Sequence, residues 1–190
     1  MKKIKHTIVA LVENKPGVLN RIANKWRQRG FNIESLAVGH SEIPGLSRMT
    51  FVVDGATTDV EQVAKQLYKV IEVVKLSDLT EEDMVARELA LIKVSASPGN
   101  RSAILMVVDI FRADIIDVSQ ETVIVQVTGA EDKIDAIIEM LRPYGIRELV
   151  RTGRVAMTRG AAATIEGAED IKPIRFRPAG EGKPRVGSLL

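Results

Sequence analysis

The chain has 190 residues, 45% of them hydrophobic, with 27 basic and 25 acidic side chains for a net charge of +2, and no cysteine. That length allows one large or two small domains, and the missing cysteine excludes disulfide staples and thiolate metal sites and suits a reducing compartment. No apolar run reaches membrane-spanning length and no signal-peptide hydrophobic region opens the sequence, so a soluble cytoplasmic protein is expected.

Ile4 to Val12 reads as a strand with apolar residues on both faces, which predicts a sheet covered on both sides. Glu13-Asn-Lys-Pro-Gly is a turn, and Pro16 suits the start of the helix after it. Val18, Leu19, Ile22, Ala23 and Trp26 form the buried stripe of that helix, Arg21, Lys25, Arg27 and Arg29 its wet side, and Gly30 its end. Asn32 to Gly39 and Ser47 to Val53 read as strands. A helix carrying Val60, Val63, Ala64 and Leu67 follows, with Asp59 as N-cap, then a strand over Val70 to Leu76. Ser77 to Asp83 reads as an acidic, polar linker. Beyond it come a strand (Arg87 to Ser95), a helix (Gly99 to Phe111), two strands (Asp114 to Ser119, Thr122 to Thr128), a helix carrying Ile134, Ile137, Ile138 and Leu141, and a last strand within Ile146 to Met157. From Gly160 onward glycine, alanine and proline dominate and poor order is expected. Six basic and four acidic residues from Arg159 to the end account for the whole net charge, so the body is neutral and offers no footprint for nucleic acid.

The two halves repeat one another. A constant shift places Pro16 and Gly17 on Pro98 and Gly99, Ile22 on Ile104, Asn32 on Asp114 and Ile33 on Ile115. The expected fold is therefore α+β, two ferredoxin-like βαββαβ domains in tandem. The expected boundaries are 1–78 for the first domain, 79–84 for a linker, 85–159 for the second domain and 160–190 for a flexible tail.

Catalysis finds little support in the residues. His6 and His40 are the only histidines and neither has a sequence-adjacent partner; Asp109, Asp114 and Asp117 suit solvation or capping better than a metal. There is no phosphate-binding glycine loop. The first turn is more informative. A helix start offers free N–H groups and positive partial charge to a carboxylate, and Gly17 lets a ligand approach the backbone. Asn14 and Asn32 can donate and accept, and Val18, Leu19, Ile33 and Leu36 can shape a small apolar pocket. These parts describe a seat for a free amino acid, though the same residue types serve equally well as turn and core. In the second copy Asn32 becomes Asp114 and Gly30 becomes Arg112; a carboxylate there repels a ligand carboxylate, which suits another role such as contact with a protein.

Glu13-Asn-Lys-Pro-Gly-Val-Leu-Asn-Arg, Gln28-Arg-Gly-Phe-Asn-Ile-Glu-Ser-Leu-Ala-Val and Leu46-Ser-Arg-Met-Thr resemble the regulatory small subunits of acetolactate synthase, and Gln66-Leu-Tyr-Lys-Val-Ile-Glu-Val and Ile110-Phe-Arg-Ala-Asp-Ile-Ile-Asp-Val agree. The first unit resembles an ACT domain, and the resemblance covers roughly residues 3 to 160. It implies a non-catalytic subunit that activates a large catalytic subunit and confers feedback inhibition by valine in branched-chain amino-acid biosynthesis. No cofactor or metal is expected in this chain; thiamine diphosphate, magnesium and FAD belong to the catalytic partner. The resemblance places valine between the ACT domains of a homodimer, at Asn14, Gly17, Val18, Leu19, Asn32 and Ile33. Two departures are the Lys15-Pro16 turn, stiffer than is common in the family, and the long tail. A stand-alone ACT-type sensor or transcription regulator is the alternative; it requires a DNA-reading helix or basic face that the neutral body does not supply.

Overall fold

The computed structural model of the chain describes residues 5–54, 60–161 and 164–165. The N-terminal half runs β1 (Lys5–Glu13), α1 (Val18–Gln28), β2 (Ser35–His40), β3 (Leu46–Asp54), α2 (Val60–Leu67) and β4 (Val73–Asp78). Its strands pair antiparallel in the order β2-β3-β1-β4. The C-terminal half runs β5 (Met84–Ser95), α3 (Arg101–Ile110), β6 (Asp114–Val118), β7 (Thr122–Gly129), α4 (Glu131–Leu141), β8 (Ile146–Arg151) and β9 (Val155–Thr158). Its sheet has the order β6-β7-β5-β8, with β9 on β5. Each half is the βαββαβ unit that the repeat predicts.

Alternation builds both cores. Ile8, Ala10 and Val12 of β1 face the helices and pack with Val18, Ile22, Trp26 and Phe51. Trp26 stacks on Phe51 at 5.2 Å between ring centres. In the second half Ala90, Ile92 and Val94 pack against Ile104, Ile134, Ile137 and Leu141. Both first helices end alike. After α1, Gly30 N–H donates to the Arg27 carbonyl and Phe31 N–H to that of Trp26, with Gly30 at φ +67°. After α3, Arg112 N–H donates to Asp109 and Ala113 N–H to Val108, with Arg112 at φ +49°. This left-handed helix stop suits glycine, and the second copy makes it with arginine.

The second face of β1 is covered from within the chain. Val9, Leu11, Leu46, Leu79, Ala156 and Ile165 form one buried cluster, flanked by Met84 and Ala86. Each fully buried aliphatic side chain there contributes about 1.5–3 kcal/mol. Arg48 donates to the Ala156 carbonyl across the same junction at 3.2 Å. The segment read as a polar linker thus carries a core residue, Leu79, whose N–H also donates to the Thr7 carbonyl. Of the residues expected to be poorly ordered, Ile165 is only 4% exposed; residues 166–190 lie outside the described residues, as does the expected cap Asp59. The far face of the second sheet stays open around Leu91, Ile124 and Val150.

Several boundaries differ from the sequence reading: β4 starts at Val73 and not Val70, and β5 at Met84 and not Arg87. Helix α1 starts at Val18, with Pro16 in the preceding turn, because Gly17 takes a left-handed conformation at φ +84°. Asn32 and Ile33 precede β2, which begins at Ser35. The last strand is two strands, β8 and β9. Its break falls at Gly153, φ +81°, where the chain kinks without leaving β5.

Candidate functional site

The first turn is anchored at three points. Glu13 N–H donates to the Glu72 carbonyl, Asn14 N–H to the Gly45 carbonyl and Lys15 N–H to the Glu13 carbonyl. These bonds fix the backbone that leads into α1. No side chain caps α1 and no acidic residue lies in its first turn, so its positive end is open to an anion. Asn14, Gly17 and Leu19 are exposed, whereas Val18 is buried in the helix-side core. Arg21 reaches over the turn: a Cβ on Gly17 would lie 3.4 Å from its guanidinium. Arg21 is itself held by Glu72 at 2.7 Å.

The second group of residues lies at the other end of the domain. Asn32 is exposed and Ile33 half-buried against the same core. β1 ends beside the Gly17 turn, and α1 runs back from there to the loop that holds Asn32. Eleven helical residues separate the two groups, about 16 Å at 1.5 Å per residue. Within one chain they do not meet. The Asn32 loop leads into β2, an edge strand that pairs only with β3 among the described residues and on which Val38 is half exposed; the Gly17 turn follows β1 at the end of the sheet where β2 finishes.

The second copy keeps an uncapped helix start and the matching anchors, Ser95 N–H to the Gly145 carbonyl and Ala96 N–H to that of Glu121, but differs at the turn itself. Gly99 does not take the left-handed conformation of Gly17, and Asn100 precedes the helix instead. Arg101, in the first turn of α3, donates to the carbonyls of Ala96, Ser119 and Gln120. A cation thus ties the helix start to the β6–β7 loop. Asp109, Asp114 and Asp117 are all exposed. Among the described residues no group of three or more His, Cys, Asp or Glu side chains is placed to hold a metal ion. His6 does have a carboxylate neighbour, Asp78, at 3.7 Å.

A ring of charges that sequence reasoning missed joins the two units beside Asn32. Lys5 pairs with Glu34 at 3.2 Å and with Glu131, the first residue of α4. Glu131 also accepts from Arg154, which donates to Thr7 Oγ1 at 2.9 Å. The Arg154 N–H donates to Ser35 Oγ at 2.9 Å, which closes the ring. The hydrogen bond from Lys5 to Glu131 raises the Lys5 pKa above its ordinary value against the opposing effect of burial. Burial alone would raise the Glu131 pKa, but Lys5 and Arg154 outweigh it and hold the carboxyl below its ordinary value. The partners that join the two units are more than a hundred residues apart, so no local pattern reveals them. The one sequence signal was that Glu34 and Ser35 lie inside the Gln28–Val38 stretch that carries the resemblance. Arg21 and Glu72 were likewise missed, because a wet-face arginine and a loop glutamate are ordinary in isolation.

Two βαββαβ units in tandem, each with two helices on an antiparallel sheet, define a tandem ACT-type fold. Residues 8–75 match the family pattern of the AHAS small subunit-like ACT domain, and residues 87–160 match that of the small subunit of acetolactate synthase. The chain is 58% identical over 157 residues to a probable acetolactate synthase small subunit of Archaeoglobus fulgidus, covering 83% of this chain and 98% of the relative. It is 50% identical over 158 residues to the acetolactate synthase small subunit of Bacillus subtilis, covering 83% and 92%. The crystal structure of the acetolactate synthase small subunit from Thermotoga maritima superposes with a TM-score of 0.77 at 46% identity, over 83% of this chain and 99% of that one. The chain belongs to the family of acetolactate synthase small, regulatory subunits.

Proposed function

We propose that this chain is the non-catalytic partner of an acetolactate synthase catalytic subunit, raises that subunit's activity, and lets valine inhibit it in branched-chain amino-acid biosynthesis in the cytoplasm. Thiamine diphosphate, magnesium and FAD serve the catalytic subunit in this reading. The observation that carries it is the separation of the two candidate groups: the Gly17 turn and the Asn32 loop lie at opposite ends of α1, the Asn32 loop leading into the free edge strand β2 and the Gly17 turn lying at the end of the sheet where β2 finishes. Two chains that pair antiparallel along β2 bring the Gly17 turn of each towards the Asn32 loop of the other. Such pairing also covers the unpaired strand edge. Each shared seat then combines a helix start for the ligand carboxylate, amides from Asn14 and Asn32, and apolar contact from Leu19 and Ile33.

Feedback inhibition then needs only that valine bind one arrangement of this interface more tightly than another. The second unit supplies the surface for a protein partner. On α3, Leu105, Met106 and Ile110 are 43%, 65% and 69% exposed, whereas the matching positions of α1 are Ala23, Asn24 and Gln28. An apolar helix face on a soluble unit marks a contact surface. The test is reconstitution: purify the chain with the matching catalytic subunit and follow pyruvate condensation with and without the chain and with and without valine. Activation by the chain together with valine inhibition that depends on it supports the reading; a catalytic subunit indifferent to the chain overturns it. Leucine and isoleucine belong in the same assay, since one methylene in an apolar pocket discriminates by only about 1–3 kcal/mol.

A further inference from the structure

We infer that Glu131 and Gly153 of the second unit are positioning residues for the start of β2, and that occupancy of the seat at Asn32 passes to the second unit through them. This rests on the proposed valine seat and names how it is read out.

Two arms reach from the second unit to the residues immediately after Asn32 and Ile33. The first is ionic, Glu34 to Lys5 to Glu131. The second is a close backbone approach. Arg154 N–H donates to Ser35 Oγ. Gly153 lies so near that a Cβ on it would sit 2.6 Å from Ser35 Oγ and 3.3 Å from the Leu36 carbonyl oxygen. Gly153 also has φ +81°, so its place needs glycine for both space and conformation. Glu131 joins the arms, because it accepts from Lys5 and from Arg154. It starts α4, where the helix dipole favours a carboxylate.

The contact falls where a ligand acts. Glu34 and Ser35 follow Asn32 by two and three residues, so a side chain drawn towards ligand at Asn32 moves their backbone. The ring cannot follow continuously. Its charged side chains are partly buried, from 12% exposed at Arg154 to 34% at Lys5, and the glycine contact has no slack. A shift of β2 must either carry α4 and the β8–β9 bend along or break the ring. That is the kind of element through which one site biases another. The apolar cluster around Leu11 and Leu79, another contact between the units, includes neither Asn32 nor a residue of β2.

The experiment uses the full-length chain, the matching catalytic subunit and valine, with Glu131→Gln and Gly153→Ala as variants. Calorimetry gives the valine Kd of each small subunit alone and in complex; steady-state assays give activation and the valine concentration for half inhibition. In the wild type, linkage requires the catalytic subunit to change the valine Kd by the coupling factor, typically about 5–150-fold. The inference expects both variants to bind valine alone within about threefold of wild type and to activate normally, but to lose that change in Kd and to resist inhibition by at least about fivefold. Glu131→Gln keeps the shape of the side chain and carries the test if Gly153→Ala does not fold. Variants inhibited like wild type overturn the inference while leaving the valine seat standing. So do variants whose inhibition weakens only in step with their own valine Kd, since the two residues then merely build the seat. A wild-type chain that gives no valine binding overturns the seat itself, and this inference with it.

Discussion

Replacing Gly17 with aspartate probes the seat at its tightest point. A Cβ on Gly17 meets only the far end of the Arg21 side chain, at 3.4 Å, while φ is +84°. The folding cost is therefore backbone strain, about 1 kcal/mol for a left-handed non-glycine residue and less for aspartate, which visits that region readily. The cost to ligand is larger. A new carboxylate about 4 Å from the ligand's own carboxylate costs about 1 kcal/mol in water-like surroundings and about 4 kcal/mol at an effective dielectric constant of 20. Valine affinity should fall between about fivefold and a thousandfold. Gly17→Asn separates charge from bulk, since asparagine has nearly the same shape and the same tolerance of positive φ. Calorimetry at low salt on folded protein should rank wild type above the asparagine variant and that above the aspartate variant, with activation of the catalytic subunit retained in both. Equal affinities in the two variants would refute the charge argument. Undiminished valine binding by a folded aspartate variant would refute the seat.

Three further outcomes are expected. Arg112→Gly should stabilise the chain by about 0.5–1 kcal/mol, read as a higher urea midpoint, because it relieves a left-handed arginine at φ +49° and gives back part of that gain as glycine's greater freedom when unfolded; an unchanged or lower midpoint contradicts the account of the helix stop. Because the Glu131 pKa is lowered on folding, its contribution to stability is fully present above the ordinary carboxylate pKa of about 4.3 and is lost as pH falls through the folded value; urea midpoints should show a shallower loss below about pH 4.3 for Glu131→Gln than for wild type, and parallel curves would count against the ring. Asp114→Asn should leave valine affinity and stoichiometry unchanged, since the second unit also lacks the left-handed turn of Gly17 and carries Arg101 in the place of the apolar Leu19; a second binding event in calorimetry would show that the copies are equivalent after all.

What the sequence disclosed followed from local periodicity. The alternation of Ile8, Ala10 and Val12 against Thr7, Val9 and Leu11 showed that β1 is covered on both faces, and Val18, Ile22 and Trp26 of the expected stripe oriented α1, whereas Leu19 and Ala23, read as buried with them, are exposed. The constant offset between halves carried the topology. The identity of what covers the second face was hidden, because Leu79 sits in an acidic stretch and Ile165 in a tail of small residues; each is buried by a partner far away in sequence. The division of the last strand turned on the positive φ of Gly153, and a glycine between Thr152 and Arg154 announces neither a kink nor a close approach to Ser35. For the candidate site, Asn14, Gly17 and Asn32 were legible as residue types suited to a zwitterion, and their opposite placement on α1 follows from the order of elements. The charge ring was not legible, because Lys5 and Glu131 meet across 126 positions.

The most direct test of the central claim, that valine is held between two copies of the chain, is calorimetry on a mixed dimer. One chain carries Asn32→Ala, expected to weaken binding by about 1–3 kcal/mol through loss of a hydrogen-bond partner for a buried ligand group, and the other carries Gly17→Asp. If each seat joins the Gly17 turn of one chain to the Asn32 loop of the other, both lesions fall in one seat, the opposite seat is intact, and half the wild-type stoichiometry remains at wild-type affinity. If each seat lies within a single chain, both are damaged and tight valine binding disappears, which would contradict the shared seat.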